Sequence, residues 1–142
     1  MSYARRSAHA QAADATERHP APDQVTQYFG LESVLLEAPD GANAIVTCHG
    51  AQVVSWRPSG DDERLFLSTE NALDKHSPIR GGVPVVFAQF ANYGSLPNHG
   101  LVRTRECRVV ALDTDERGAR ATFRVEDCAD TRAHWPHSLP AN

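Results

Sequence analysis

The eight residues Ala119-Arg120-Ala121-Thr122-Phe123-Arg124-Val125-Glu126 decide the fold class. Ala121, Phe123 and Val125 share one face of an extended chain, and Thr122, Arg124 and Glu126 share the other. Successive side chains of a strand point to opposite faces, so this alternation is that of an antiparallel strand half in a core and half in water. The run Glu106 to Leu112 precedes it, and the intervening Asp113-Thr114-Asp115-Glu116-Arg117-Gly118 is rich in turn formers, so the two runs read as a hairpin. Working back toward the N-terminus, the same punctuation recurs. Ser33 to Glu37 ends at Pro39-Asp40-Gly41, Asn43 to Cys48 at His49-Gly50, and Gln52 to Trp56 at Pro58-Ser59-Gly60-Asp61-Asp62. Arg64 to Leu67 and Gly82 to Phe87 add two more runs, and Asn71 to His76 is expected to form a short helical turn. Seven short strands and no amphipathic helix predict an all-β protein, an antiparallel β-sandwich or barrel.

A chain of 142 residues is one domain or a large piece of one. Apolar residues make up 41% and charged residues 23% of it, a globular balance too apolar for a disordered chain. The net charge of −4 argues against a nucleic-acid partner, which calls for a basic excess. No apolar run approaches the roughly 18 residues of a membrane span, and Arg5-Arg6 is followed by no hydrophobic export segment. Cys48, Cys107 and Cys128 contain no CxxC pair, which removes a zinc ribbon or thioredoxin-like site and predicts three buried thiols in a reducing cytoplasm. Residues 1–23 lack large apolar side chains apart from Tyr3 and read as a disordered arm, with the ordered domain over 24–142. His134-Trp135-Pro136-His137 reads as the approach to a further strand, so a domain truncated after about seven strands is expected. Its open sheet edge would favour self-association.

Chemistry concentrates in residues 76–105. Gly81-Gly82 after Arg80 permits a sharp turn and close backbone approach, and Pro84 then fixes an extended chain. Asn98, His99 and Arg103 form a second polar cluster. Arg80 and Arg103 are either a pair of planar donor forks matched to phosphate oxygens or two solvated surface cations. His99 alone reads as a structural histidine or a ligand contact. Asp130, His134 and His137, with Cys48-His49, have the side chains of a metal site but match no ligand motif. A Cys48–His49 nucleophile pair is disfavoured, because neighbours on a strand face opposite ways.

Pro78-Ile79-Arg80-Gly81-Gly82-Val83-Pro84 and Leu96-Pro97-Asn98-His99-Gly100-Leu101-Val102-Arg103 together resemble the hexose-6-phosphate mutarotases, or glucose-6-phosphate 1-epimerases, of the aldose 1-epimerase superfamily. Gly50-Ala51-Gln52-Val53-Val54-Ser55-Trp56, Leu65-Phe66-Leu67-Ser68 and Trp135-Pro136-His137 resemble further blocks of that family in the same order. The resemblance implies a galactose-mutarotase-like antiparallel β-sandwich and a cofactor-free isomerase that interconverts the α and β anomers of glucose 6-phosphate or similar aldohexose 6-phosphates. It implies that Arg80 and Arg103 hold the phosphate, that Asn98 contacts substrate where Gln is usual, and that His99 lines the sugar site. The family's catalytic acid, in a His-Thr-Tyr-Phe-type strand, and its glutamate base have no counterpart in these 142 residues. The expectation is therefore a mutarotase by family, inactive alone, with no catalytic residue in this chain. The alternatives are a non-catalytic sugar-phosphate-binding fragment and an unstable truncation product. Phe87-Ala88-Gln89-Phe90-Ala91 departs from the family's Phe-Pro-x-Phe-Gly.

Overall fold

Phe29 and Gly30 close the first hairpin, joining β1 (Val25–Tyr28) to β2 (Leu31–Glu37) with both residues left-handed, at φ 49° and 81°. A two-residue turn with positive φ at both positions matches the right-handed twist of the paired strands. β3 (Asn43–Thr47) and β4 (Val53–Arg57) continue the meander, giving a four-stranded antiparallel sheet in the order β1-β2-β3-β4. β5 (Arg108–Asp115) and β6 (Gly118–Arg124) form a separate hairpin across Glu116-Arg117, with the Arg117 N–H donating to Asp115 Oδ1 at 2.7 Å. A short helix, α1 (Ala129–His134), follows. This computed structural model describes residues 25–137 and 139, so the arm expected over 1–23 lies outside the described residues.

Cys48 ties the two sheets together. Its N–H donates to the Glu32 carbonyl in β2 at 2.8 Å, and its carbonyl accepts from the Cys107 N–H, also at 2.8 Å, just before β5. Burial, with Glu32 and Glu106 nearby, pushes the Cys48 thiol up to about 12, and burial pushes the Cys107 thiol up to about 11. Both stay protonated and unreactive near neutral pH. Cys128 corrects the expectation of three buried thiols: it is exposed, because it sits at the N-cap of α1 rather than inside a sheet.

The core forms where β2 and β4 meet a loop. Leu31, Val54 and Ile79 are almost fully buried, with Tyr28, Ile45, Leu67 and Leu73 packed around them. A bulge in the β3–β4 pairing, at Ile45/Val46, sets two β4 residues against one of β3 and leaves both Val54 and Ser55 buried. Ile79 belongs to no strand, yet it carries the segment just before Arg80 into this core.

The described residues thus hold six strands, and the predicted runs differ from them in particular places. Arg64 to Leu67 and Gly82 to Phe87 are not strands. They contribute only the single bridges Leu67↔Gly81, Val53↔Val83 and Phe87↔Gly100. Gly81 and Gly82, at φ 104° and 61°, break the extended path, Pro84 cannot donate to a ladder, and Val83 and Val85 are exposed. Asn71 to His76 is no helical turn, because Leu73 and Lys75 are left-handed. His134 closes α1, and the Trp135 ring packs edge-on against Phe87 at 5.7 Å, where a strand approach was expected.

Truncating Ile79 to Ala should lower unfolding stability by roughly 2–4 kcal/mol, the scale for a buried aliphatic truncation. Val85→Ala, at a site 40% exposed, should cost well under half of that. Urea denaturation of both variants checks the assignment, and equal losses would mean that the core lies elsewhere.

Candidate functional site

Residues 77–82 run outside any sheet ladder, so their backbone groups need other partners. Backbone bonds run from the Ser68 N–H to the Arg80 carbonyl at 3.0 Å and from the Gly82 N–H to the Phe66 carbonyl at 2.8 Å, and side chains supply others. The Gln52 carboxamide, 1% exposed, donates from Nε2 to the Ile79 carbonyl at 3.3 Å and the Gly81 carbonyl at 2.5 Å. Buried His49 points Nε2 at the Ser77 carbonyl, 3.0 Å away, which requires the tautomer protonated at Nε2. Asn71 brackets Arg80: its Oδ1 accepts from the Arg80 N–H at 2.7 Å, and its Nδ2 donates to the Arg80 carbonyl at 3.0 Å. A Cβ at Gly81 would overlap the Phe66 carbonyl oxygen, and one at Gly82 the Val53 carbonyl oxygen, so this path tolerates only glycine at both positions.

Arg103 reaches the same loop. Its Nη2 lies 3.5 Å from the Ile79 carbonyl, one residue before Arg80, and its Nε is buried without an acceptor. Gly50 lies under the Arg103 backbone so closely that a Cβ there could not fit. Arg57, Arg64, Arg105, Arg108 and Arg132 each face a carboxylate, whereas no ion pair among the described residues involves Arg80 or Arg103. Arg103 thus leans on the loop that carries Arg80, and both guanidinium groups lack a carboxylate partner among the described residues.

Asn98 and His99 occupy the adjoining loop, tied in where the Leu101 N–H donates to the Phe87 carbonyl at 2.6 Å. His99 is left-handed at φ 65°. Its backbone N–H donates to the Ala91 carbonyl at 3.1 Å, and its Nδ1 accepts the Ala91 N–H at 3.2 Å. In the neutral ring that leaves the proton on Nε2, as a donor. The Phe90 ring meets His99 edge-on at 5.3 Å. The Asn98 side chain is exposed and makes no hydrogen bond among the described residues. No hydrogen bond among them links Asn98 or His99 to either arginine. The structure therefore brings Arg103 to the Arg80 loop and sets the other two on a neighbouring loop. Sequence reasoning missed Asn71, His49 and Gln52 as supports; a glutamine inside the apolar run Gln52 to Trp56 was the available signal.

The turn leading into the site depends on Asp74, whose Oδ1 accepts from the Ser77 and His76 N–H groups at 2.7 and 2.9 Å. Those bonds hold its carboxyl down to about 2. A depressed folded-state value means that the ionised form stabilises the fold above the ordinary carboxylate range, a contribution lost as pH falls through about 2. Thermal unfolding should thus show a constant gap between wild type and Asp74→Asn above about pH 5, closing near pH 2. A gap that persists unchanged at pH 2 would contradict this. Ala91 stands at φ 48°, where glycine is favoured, so Ala91→Gly should raise stability by up to about 1 kcal/mol in the same assay. A loss of that size would show that Ala91 is not held left-handed.

The aldose 1-epimerase family model matches residues 32–142. Among curated proteins, a "putative glucose-6-phosphate 1-epimerase" of Salmonella typhimurium is 32% identical over 115 residues, covering 80% of this chain and 39% of that protein. A protein of the same description from Cenchrus ciliaris is 33% identical over 128 residues, covering 84% of this chain and 38% of the relative. The chain thus spans about two fifths of the length of the curated relatives it matches. Among solved structures, a "putative mutarotase (YeaD)" from Salmonella typhimurium superposes with a TM-score of 0.70 at 30% identity, over 80% of this chain and 39% of that one. HI1317 superposes with a TM-score of 0.65 over 78% of this chain and 41% of that one, a likeness of fold at 24% identity. The antiparallel strands described above are thus part of a mutarotase-type β fold, and the chain belongs to the aldose 1-epimerase family.

Proposed function

We propose that this chain carries the phosphate-holding part of a hexose-6-phosphate mutarotase site. The observation that carries the proposal is that Arg103 leans on the loop that presents exposed Arg80, and neither has a carboxylate partner among the described residues. Exposed Arg80 leaves its donor fork open to solvent, where it can meet phosphate oxygens two at a time. Arg80 and Arg103 then grip the phosphate group. His99, with its Nδ1 occupied by Ala91, offers Nε2–H to a sugar hydroxyl, and exposed Asn98 supplies a second polar contact. The names of the relatives support glucose 6-phosphate as the substrate class.

Anomer exchange needs a base to take the proton of the anomeric hydroxyl and an acid to protonate the ring oxygen, so that the ring opens and recloses on the other face. Proton transfer of this kind calls for no cofactor. The residues assembled here bind rather than move those protons, so the 142 residues on their own hold hexose 6-phosphate without speeding its mutarotation. Among the described residues no helix is long and apolar enough to cross a membrane.

Arg80→Ala and Arg103→Ala should each weaken glucose 6-phosphate binding by about 1.5–3 kcal/mol, and Arg→Lys should also weaken it because the planar fork is lost. NMR exchange between the anomers, measured against a protein-free blank and against plain glucose, reads the catalytic half of the proposal. Binding without acceleration fits it. Acceleration abolished by Arg80→Ala would mean that this chain supplies its own acid and base, and binding indifferent to both arginines would remove the clamp.

A further inference from the structure

We infer that Asn71 is a positioning residue for Arg80, acting through the backbone to fix where the guanidinium fork is presented; this rests on the phosphate-clamp reading above. The observation is that one side chain meets both backbone groups of Arg80, whose carbonyl also accepts the Ser68 N–H at 3.0 Å. Arg80 has one backbone donor and one backbone acceptor, and the Asn71 carboxamide engages both, at 2.7 and 3.0 Å. The same Nδ2 also donates to the Ser68 carbonyl at 2.9 Å, which ties the carboxamide to the chain on its other side. Gln52 meanwhile holds the carbonyls of Ile79 and Gly81, so three consecutive residues around Arg80 are fixed by two carboxamides.

The Arg80 side chain is treated in the opposite way. It is exposed, and among the described residues its guanidinium has no hydrogen-bond or ion-pair partner. A rigid backbone under an unengaged cation is what preorganisation requires: the Cα–Cβ direction is set before an anion arrives, and ordering costs less on binding. Asn suits this task because its carboxamide places an acceptor and a donor side by side, matching the N–H and C=O of one residue. Asp would keep the acceptor, lose both donors and set a second anion beside the phosphate. Neither Gln52 nor Asn71 touches substrate in this account; both act through the loop.

A double-mutant cycle reads the inference. Affinity for glucose 6-phosphate is measured by isothermal titration for wild type, Asn71→Ala, Arg80→Ala and the double variant, with plain glucose as the control ligand. Asn71→Ala is expected to weaken glucose 6-phosphate binding roughly threefold to tenfold, the scale of an ordering cost no longer prepaid. It should cost nothing further in the Arg80→Ala background, because its effect passes through Arg80. An equal loss in both backgrounds would assign Asn71 a merely structural role and overturn the inference. Wild-type binding that is lost in Arg80→Ala and untouched in Asn71→Ala would overturn it while leaving the clamp intact. Absence of glucose 6-phosphate binding by folded wild type would overturn the clamp reading and this inference together. Should Asn71→Ala fail to fold, amide hydrogen exchange of wild type decides: the Arg80 N–H should be strongly protected, and free exchange at that amide in the folded protein would overturn the bracket.

Discussion

The Gln52 carboxamide, buried under the loop that carries Arg80, is the interaction on which the rest of the site depends. In a sheet, a neighbouring strand satisfies each carbonyl. Residues 77–82 lie outside the strands, where the Ser68 N–H meets the Arg80 carbonyl but the Ser77, Ile79 and Gly81 carbonyls have no backbone donor among the described residues. Gln52 answers for two of them, His49 for the Ser77 carbonyl, and Arg103 leans on the Ile79 carbonyl as well. The Ile79 side chain drops into the core beside Leu31 and Val54, which pins the loop from below. Irregular backbone thus becomes as determined as a strand, and the next residue in line is the exposed Arg80.

Charge is distributed around this loop with the same selectivity. Arg105, two residues beyond Arg103, is neutralised by Asp130, and Arg108 faces Glu126 at 3.7 Å. Arg103 is directed inward, where its Nη2 meets a carbonyl and its Nε meets nothing. Carboxylates are thus placed beside several arginines of the chain but not beside the two at the loop. The thiols take no part. Cys48 and Cys107 lie in the seam between the sheets, held protonated by burial, and serve as small apolar side chains with a backbone role.

The sequence made the sheets legible because their side chains alternate. β6 was readable from Ala121 and Phe123, though it ends at Arg124, before Val125, and β2, β3 and β4 fall within one or two residues of the runs that predicted them. β1, Val25–Tyr28, was only the place where order was expected to begin, since four residues are too few to show a period. Gly82 to Phe87 misled for the converse reason: its residues favour extension, but a left-handed Gly82 and Pro84 prevent a ladder, and pairing is a property of neighbours that one segment does not encode. α1 escaped notice because six residues with a cysteine N-cap carry no apolar stripe. At the site, family motifs marked Arg80, Asn98, His99 and Arg103, whereas the polar supports depend on contacts between distant segments, such as Gln52 with Gly81.

Arginine side-chain NMR tests the central claim most directly, because it observes a guanidinium group assigned to the phosphate. In protein labelled with nitrogen-15, the Nε–Hε resonance of exposed Arg80 is followed while glucose 6-phosphate is titrated in, with plain glucose as the comparison. The account predicts a large downfield shift of that proton, saturating with glucose 6-phosphate and absent with glucose, as a charge-assisted hydrogen bond forms. A resonance that stays in place through saturating glucose 6-phosphate, or that moves equally with glucose, would contradict it.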